Sequence, residues 1–237
     1  MPAGLFSKRV QDAVGLSQAD REALRSLRVK QRELGHREPL WREGDAATQT
    51  AVVHSGFLAS YKMSADREQI LAFHVPGDFP DLQALYVPVF DHSITSIGPS
   101  VVGLISHADL KDLLVHSHSL ASVFWRETIL ETIVLREWIC NVAARDALAS
   151  FAHLICEIAS RLEAVGLVTG GSFSLPLTQQ DVANALGLSV VHVNRTLQQL
   201  RKRHLISWAQ RTITLLDLGE LKRIAQFEPD YLRRESA

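Results

Sequence analysis

The spacing of hydrophobic and polar positions changes character along this chain. From about residue 29 to residue 107, short apolar runs such as Ala51-Val52-Val53, Phe57-Leu58-Ala59-Ser60-Tyr61 and Ile70-Leu71-Ala72-Phe73 alternate with turn formers. These are Gly35, Pro39, Gly44, Gly56, Pro76-Gly77, Pro80, Gly98-Pro99 and Gly103. Many short strands punctuated in this way predict a sandwich or barrel. A helix over residues 17–27 precedes them, with Ser17 as N-cap and Asp20 in its first turn. After residue 107 the period becomes helical. A short helix starts at His107, and a long one runs from about residue 119 to 142. Its broad apolar stripe contains Val123, Leu130, Ile133, Val134, Trp138 and Ile139. Residues 145–165 form another amphipathic helix, ending near Gly166, and Gly170-Gly171-Ser172 opens a loop.

Residues 178–203 carry the most specific pattern. Thr178 is an N-cap, with Asp181 three residues on in the manner of a capping box. Val182, Ala185 and Leu186 give the first helix a buried face. Gly187-Leu188-Ser189 is short enough for a tight turn, and Gly187 is free to take positive φ there. Ser189 caps a second helix, where Val193, Leu197 and Leu200 recur at i, i+4, i+7. Its other face holds Val191, His192, Asn194, Arg195 and Gln198, and it ends in Arg201-Lys202-Arg203. A helical hairpin built only for stability has no use for that donor-rich face. A helix-turn-helix that places its second helix in a DNA major groove does. Two β-type runs follow, His204 to Trp208 and Arg211 to Leu216, separated by Ala209 and Gln210, as in the wing of a winged helix. Arg211 lies near the tip, and residues 218–227 form a closing helix.

Charge sharpens this reading. The 237 residues have a net charge of −1, so no global field draws the chain to nucleic acid. Between Thr178 and Thr214, however, the basic residues are Arg195, Arg201, Lys202, Arg203 and Arg211, and Asp181 is the sole acid. No phosphate-binding glycine loop, nucleophile motif or metal-ligand spacing is present, which argues against an enzyme. Cys140 and Cys156 are too few for a disulfide framework. No apolar run is long enough to span a membrane, and the N-terminus lacks a secretion signal, so the expected location is the cytoplasm.

The C-terminal third resembles the DNA-binding domain of the Crp/Fnr family of bacterial transcription regulators. The residues that carry the resemblance are Thr178-Gln179-Gln180-Asp181-Val182-Ala183, Leu186-Gly187-Leu188-Ser189, Val193-Asn194-Arg195-Thr196-Leu197, Leu200 and Leu205-Ile206-Ser207. More weakly, Glu43-Gly44-Asp45, His54-Ser55-Gly56 and Pro76-Gly77-Asp78-Phe79 resemble turn landmarks of that family's sensor domain. The resemblance implies an α+β chain: an N-terminal jelly-roll β-barrel (1–116, cyclic-nucleotide-binding-like), a dimerisation helix (117–143) and a winged helix-turn-helix domain (144–237).

It also implies functional positions. Double-stranded DNA would meet Thr178, Gln179, Ser189, Val190, Val191, His192, Asn194, Arg195, Gln198, Arg201 and Arg211. Arg195 matches the family's base-contacting arginine. Val191 stands where glutamate is common and Asn194 where serine is common, so the operator should differ from the best-known sites. A homodimer would pair through Val123, Leu130, Ile133, Val134 and Trp138. RNA polymerase is the further partner expected of such a regulator, and no membrane is involved. The alternative is a small-molecule-binding or interaction module whose helix-turn-helix no longer binds DNA.

The effector is not implied so clearly. Cyclic-nucleotide binders of the family carry Gly-Glu followed by Arg-(Ser/Thr)-Ala. The corresponding residues 77–94 contain no Arg or Lys, but do contain Asp78, Asp81 and Asp91. Burying a phosphate there without a cation is costly. An iron–sulfur cluster needs about four cysteines, and the sequence has two. Haem ligation through His74 or His92 is a weaker possibility. No cofactor or metal is expected, and Phe79, Leu82, Leu85, Tyr86 and Phe90 suggest an apolar pocket for an uncharged ligand, if one exists.

Overall fold

The computed structural model describes residue 10 and residues 15–232. Contacts divide the chain into two compact units. One takes residues up to Lys62 together with Phe73–Thr132, and the other takes Met63–Ala72 and Ile133–Arg234.

In the first unit, helix α1 (Gln18–Ser26) has the expected capping box between Ser17 and Asp20. Seven strands follow, β4 and β5 contributing Met63–Ala72 to the second unit: β1 (Val29–Leu34), β2 (Pro39–Trp41), β3 (Gln49–Ser55), β4 (Leu58–Ser64), β5 (Arg67–His74), β6 (Ser93–Ser96) and β7 (Ser100–Ser106). They form one sheet ordered β1-β7-β3 and another ordered β2-β6-β4-β5. The pairing β3–β7 is antiparallel, with Val52 opposite Gly103. Two hydrophobic layers explain why the centre of β3, Ala51-Val52-Val53, is apolar on both faces. Ala51 and Val53 pack with Leu34, Leu40, Leu58, Ile94, Val102 and Leu104 between the sheets. Val52 and Ile105 point the other way, into a second core with Leu24, Phe79, Leu82, Leu85, Leu110, Leu120, Val123 and Phe124. A strand covered on both faces loses the polar alternation of a half-exposed one.

Helices α2 (His107–His116) and α3 (His118–Ala143) come next. The 26-residue α3 has two faces. Val123, Phe124, Leu130, Trp138 and Asn141 are buried within the chain. Trp125, Ile129, Leu135, Ile139 and Val142 are exposed.

In the second unit, α4 (Ala147–Glu163) is capped by Asp146 and buried on nearly every side. It packs against helices α5 (Gln179–Leu186), α6 (Val190–Lys202) and α7 (Leu218–Ala225) and the 3-10 turn Pro229–Leu232. A buried carboxylate, Glu157, knits this unit together. Trp138 Nε1 donates to both its oxygens at 3.1 Å, Arg161 Nη1 donates at 3.1 Å and Tyr231 Oη at 2.9 Å. Four donor contacts to one buried carboxylate offset the cost of removing it from water. His153 lies beside it, its imidazole held down to about 3 by burial and by the Arg145 charge. A three-stranded sheet ordered β8-β10-β9 completes the unit: β8 (Ser172–Ser174), β9 (Ile206–Ala209) and β10 (Thr212–Leu215).

Two expectations need correction here. The segment opened by Gly170-Gly171-Ser172 includes strand β8, paired with β10 through Phe173 opposite Ile213. His204 does not begin a strand: at φ 56° it turns the chain out of α6 into β9.

Candidate nucleic-acid interface

Local chemistry sets the angle between α5 and α6. Thr178 Oγ1 accepts from the backbone of Asp181 at 3.1 Å, and Asp181 Oδ2 accepts from the backbone of Thr178 at 2.7 Å. Such reciprocal caps are worth about 1 kcal/mol. Asp181 is fully buried, so it acts as an architectural acid and puts no negative charge on the surface. Gly187 ends α5 at φ 66°, with its N–H bonded to the Ala183 carbonyl. An L side chain is strained at that φ. Two residues later Ser189 Oγ accepts from His192 N at 3.2 Å and starts α6.

α6 is sharply two-sided. Val193, Thr196, Leu197 and Leu200 are buried, and Thr196 returns its hydroxyl proton to the His192 carbonyl at 2.9 Å. Asn194, Arg195, Gln198 and Gln199 are exposed, His192 is half-buried, and Val191 is 80% exposed. An 80% exposed valine at the start of a helix contributes nothing to this unit's core. It offers a methyl surface next to a guanidinium and two amides, the mixture that reads base edges in a major groove. Asn194 Nδ2 donates to Gln179 Oε1 at 3.1 Å, so the first residue of α5 orients a side chain of α6.

The wing is braced from behind. Arg201, expected on the DNA, is half-buried and its Nη2 donates to the Trp208 carbonyl. That corrects its role: it holds β9 against α6. Trp208 in turn packs edge-on against Phe151 of α4 at 6.2 Å. Ser172 Oγ meets Thr214 Oγ1 at 2.9 Å, and Leu175 N donates to the Arg211 carbonyl at 2.7 Å. At the tip, Gln210 and Arg211 both take left-handed φ, 48° and 62°, as a two-residue hairpin turn of this hand requires. Both side chains are exposed. Thr178 and Ser189 are also exposed, but their hydroxyls act as caps, and Val190 is half-buried. Gln199, which the sequence reading left out of the site, shares the exposed side of α6, and Lys202 and Arg203 of the basic cluster are exposed at its end.

The expected dimer residues need correction. Val123 and Leu130 are buried in the chain, and the Trp138 indole is consumed by Glu157, so none of the three can face a partner. Ile133 and Val134 are half-buried. The open side of α3 instead holds Ser122, Trp125, Ile129, Thr132, Leu135, Arg136, Ile139, Cys140, Val142 and Ala143. Within it Thr132, Leu135, Ile139 and Val142 recur at alternating spacings of three and four residues, as in a two-stranded coiled-coil seam. The sequence reading missed it because the buried face is also apolar, and the two stripes merge into one broad band.

The expected effector residues do not line one pocket. Phe79, Leu82 and Leu85 sit in the core with Phe124, whose ring meets Phe79 at 5.5 Å. Phe90 stacks on Trp41 at 5.1 Å. Tyr86 is 76% exposed, with Lys111 Nζ 5.2 Å above its ring. Asp81, which belongs to the same segment, is fully buried. It accepts from Thr50 Oγ1 at 2.6 Å, from Ala51 N at 3.0 Å and from Trp41 Nε1, and burial pushes its carboxyl up to about 6. Among the described residues no group of three His, Cys, Asp or Glu side chains could hold a metal ion, and no helix is long and apolar enough to cross a membrane.

Two family models match the chain: a Crp-like helix-turn-helix domain over residues 151–224 and a cyclic nucleotide-binding domain over residues 31–117. The "Anaerobic regulatory protein" of Haemophilus influenzae is 26% identical over 207 residues, covering 87% of this chain and 80% of that protein. The "Fumarate and nitrate reduction regulatory protein" of Vibrio cholerae is 25% identical over 211 residues, covering 89% and 84%. The solved structure of FixK2 from Bradyrhizobium japonicum superposes with a TM-score of 0.77 at 25% identity, covering 84% of this chain and 98% of that one. The β-roll, the long helix and the winged helix-turn-helix with its two-sided α6 are together those of a non-enzymatic, DNA-binding transcription regulator, and the chain belongs to the Crp/Fnr family.

Proposed function

We propose that this regulator acts as a homodimer on a dyad-symmetric operator, with α6 of each subunit in the major groove of one half-site. The observation that carries this is the division of α6. One side is locked by Val193, Thr196, Leu197 and Leu200, and the other offers Val191, His192, Asn194, Arg195 and Gln198 to solvent. Arg195 is exposed and makes no ion pair among the described residues, so its fork is available to guanine O6 and N7. Val191 would pack on a thymine methyl. Lys202, Arg203 and Arg211 would hold phosphates and position the reading helix. The exposed α3 stripe would pair with its copy, placing two reading helices about one DNA turn apart. Cytoplasmic DNA and RNA polymerase are the partners such a regulator would need.

Control of this dimer does not run through a cyclic nucleotide in our reading. Residues 77–94 supply no cation for a cyclic phosphate, and Phe79, Leu82 and Leu85 are spent on the core. The name of one relative, "Anaerobic regulatory protein", raises the question of an iron–sulfur cluster, but two thiols cannot supply four ligands. Of the two, Cys156 is buried, its thiol pushed up to about 12, and so it is unsuited to redox sensing. Mobility-shift titration with DNA selected from random duplexes, at two salt concentrations, tests the reading. Specific complexes on paired half-sites support it, and salt-sensitive binding without base preference would not.

A further inference from the structure

We infer that a buried polar knot at the elbow between α3 and α4 fixes the half-site spacing this regulator accepts, with Trp138 and Glu157 as its positioning residues. The inference rests on the dimer proposed above, but not on which residues of the open side of α3 meet their copies. From Ile133 onward α3 belongs to the DNA-binding unit, and this stretch has two sides. Leu135, Ile139 and Val142 are exposed and available to a partner, while Trp138 and Asn141 are buried. Only residues 144–146 separate α3 from α4. Side chains brace that short elbow. Trp138 Nε1 donates to both Glu157 oxygens, Asn141 Nδ2 donates to the Ser150 carbonyl at 3.2 Å, and Arg145 Nη2 donates to Glu137 Oε1 at 2.5 Å. α4 in turn packs against the reading helix α6. These bonds therefore set the angle between the open side of α3 and the helix that reads DNA.

Stability alone does not account for ions at this place. α4 already buries Phe151, Leu154, Ile155, Ile158 and Leu162, and an apolar side chain at position 157 would extend that core. A buried charge network is often no more stabilising than well-packed apolar residues of the same volume. What it adds is direction. Apolar side chains slide over one another at little cost, whereas a carboxylate with donors on both oxygens holds its neighbours to one geometry. The knot pairs Glu137 with Arg145 and Glu157 with Arg161, and it closes on the C-terminal turn. There Tyr231 Oη donates to Glu157 at 2.9 Å, and the Tyr231 ring stacks on His153 at 5.9 Å. Burial and the Glu157 charge hold the Tyr231 hydroxyl well above its ordinary range, and burial holds His153 down to about 3, so both stay neutral at physiological pH. Two α6 helices held rigidly about a two-fold axis fit one centre-to-centre distance on DNA. One added base pair moves a half-site by about 3.4 Å and turns it by about 35°.

Mobility-shift titrations of the full chain test this on the duplex selected from random DNA and on the same half-sites with one base pair added or removed at the centre. The parent protein should bind the altered spacings at least about tenfold more weakly, the scale of one lost specific contact. Trp138→Phe keeps an aromatic ring in the core and removes the donor to Glu157. Its discrimination between spacings should fall to about threefold or less. Tyr231→Phe should shift discrimination in the same direction by a smaller amount. Ile158→Val removes one methylene from the α4 core and none of these bonds, so it should discriminate as the parent does. Unchanged discrimination in Trp138→Phe would overturn the proposal. Should that variant fail to fold, unchanged discrimination in Tyr231→Phe would overturn it instead. Equal loss in Ile158→Val would also overturn it, because the effect would then be one of general stability. A parent protein that selects no paired half-sites, or is indifferent to their spacing, would overturn the dimer reading and the role of the knot with it.

Discussion

Asn194 in the exposed helix α6 donates its side-chain amide to Oε1 of Gln179, the first residue of α5, at 3.1 Å. The bond ties the reading face to the helix that supports it, so the amide of Asn194 is aimed before DNA arrives. Gln179→Ala should weaken operator binding by about 0.5–1.5 kcal/mol, the net worth of one such bond. Asn194→Ala should cost less in the Gln179→Ala background than alone, since the two act as a unit. Strictly additive losses in a binding titration would mean that the pair is not coupled.

Arg195 and Arg211 should fail in different ways. Arg195→Ala is expected to lose about 1–3 kcal/mol of specific binding and relax one base position per half-site. Arg211→Ala, at the wing tip, should weaken all sequences alike and lower the salt slope by about one. Base preference unchanged in the first variant would remove Arg195 from the reading set.

The two faces of α3 make opposite predictions. Ile139→Glu, on the open stripe, should leave the fold intact and shift the protein to monomer by light scattering. Leu130→Ala, on the buried face, should lower unfolding stability by about 2–5 kcal/mol and leave association unchanged. If Leu130→Ala dissociated the dimer and Ile139→Glu did not, the seam would lie where the sequence alone suggested.

Asp81 gives stability a pH dependence of known sign. Its carboxyl titrates near 6 in the fold against 3.8 when unfolded, so the native state holds the proton more tightly. Its contribution is fully present below pH 3.8 and is lost as pH rises through 6, a loss of about 3 kcal/mol. His153 acts in the opposite sense, since it resists protonation down to about 3 and loses stability as pH falls below 6.5. Asp81→Asn isolates the first effect: relative to the parent, it should gain stability in urea between pH 4.5 and pH 7. A difference that is flat with pH would show that Asp81 is ionised throughout.

Calorimetry with cyclic AMP and cyclic GMP should show no tight binding, and DNA affinity should not change with either. Micromolar affinity coupled to a gain in DNA binding would require a cation from outside residues 77–94, with Lys62 or Arg67 the nearest in sequence on β4 and β5.

The winged helix-turn-helix was legible in the sequence because its signals are local. Thr178 and Asp181, Gly187, Ser189 and the i, i+4, i+7 row of Val193, Leu197 and Leu200 each act within a few residues. Strand β8 was harder to see: three residues pair only with the distant β10, and the preceding Gly170-Gly171 read as a loop. The roles of Arg201 and Trp138 were not legible at all. Each depends on an acceptor placed by the fold, the Trp208 carbonyl for one and Glu157 for the other. Composition likewise could not tell an apolar lining from a filled core, so Phe79, Leu82 and Leu85 suggested a pocket where they pack against Phe124.

Selection of bound duplexes from random DNA tests the central claim most directly. The account predicts two inverted half-sites about one helical turn apart, each with a guanine whose preference disappears in Arg195→Ala. Enrichment of no common sequence, or of one unpaired half-site, would contradict it.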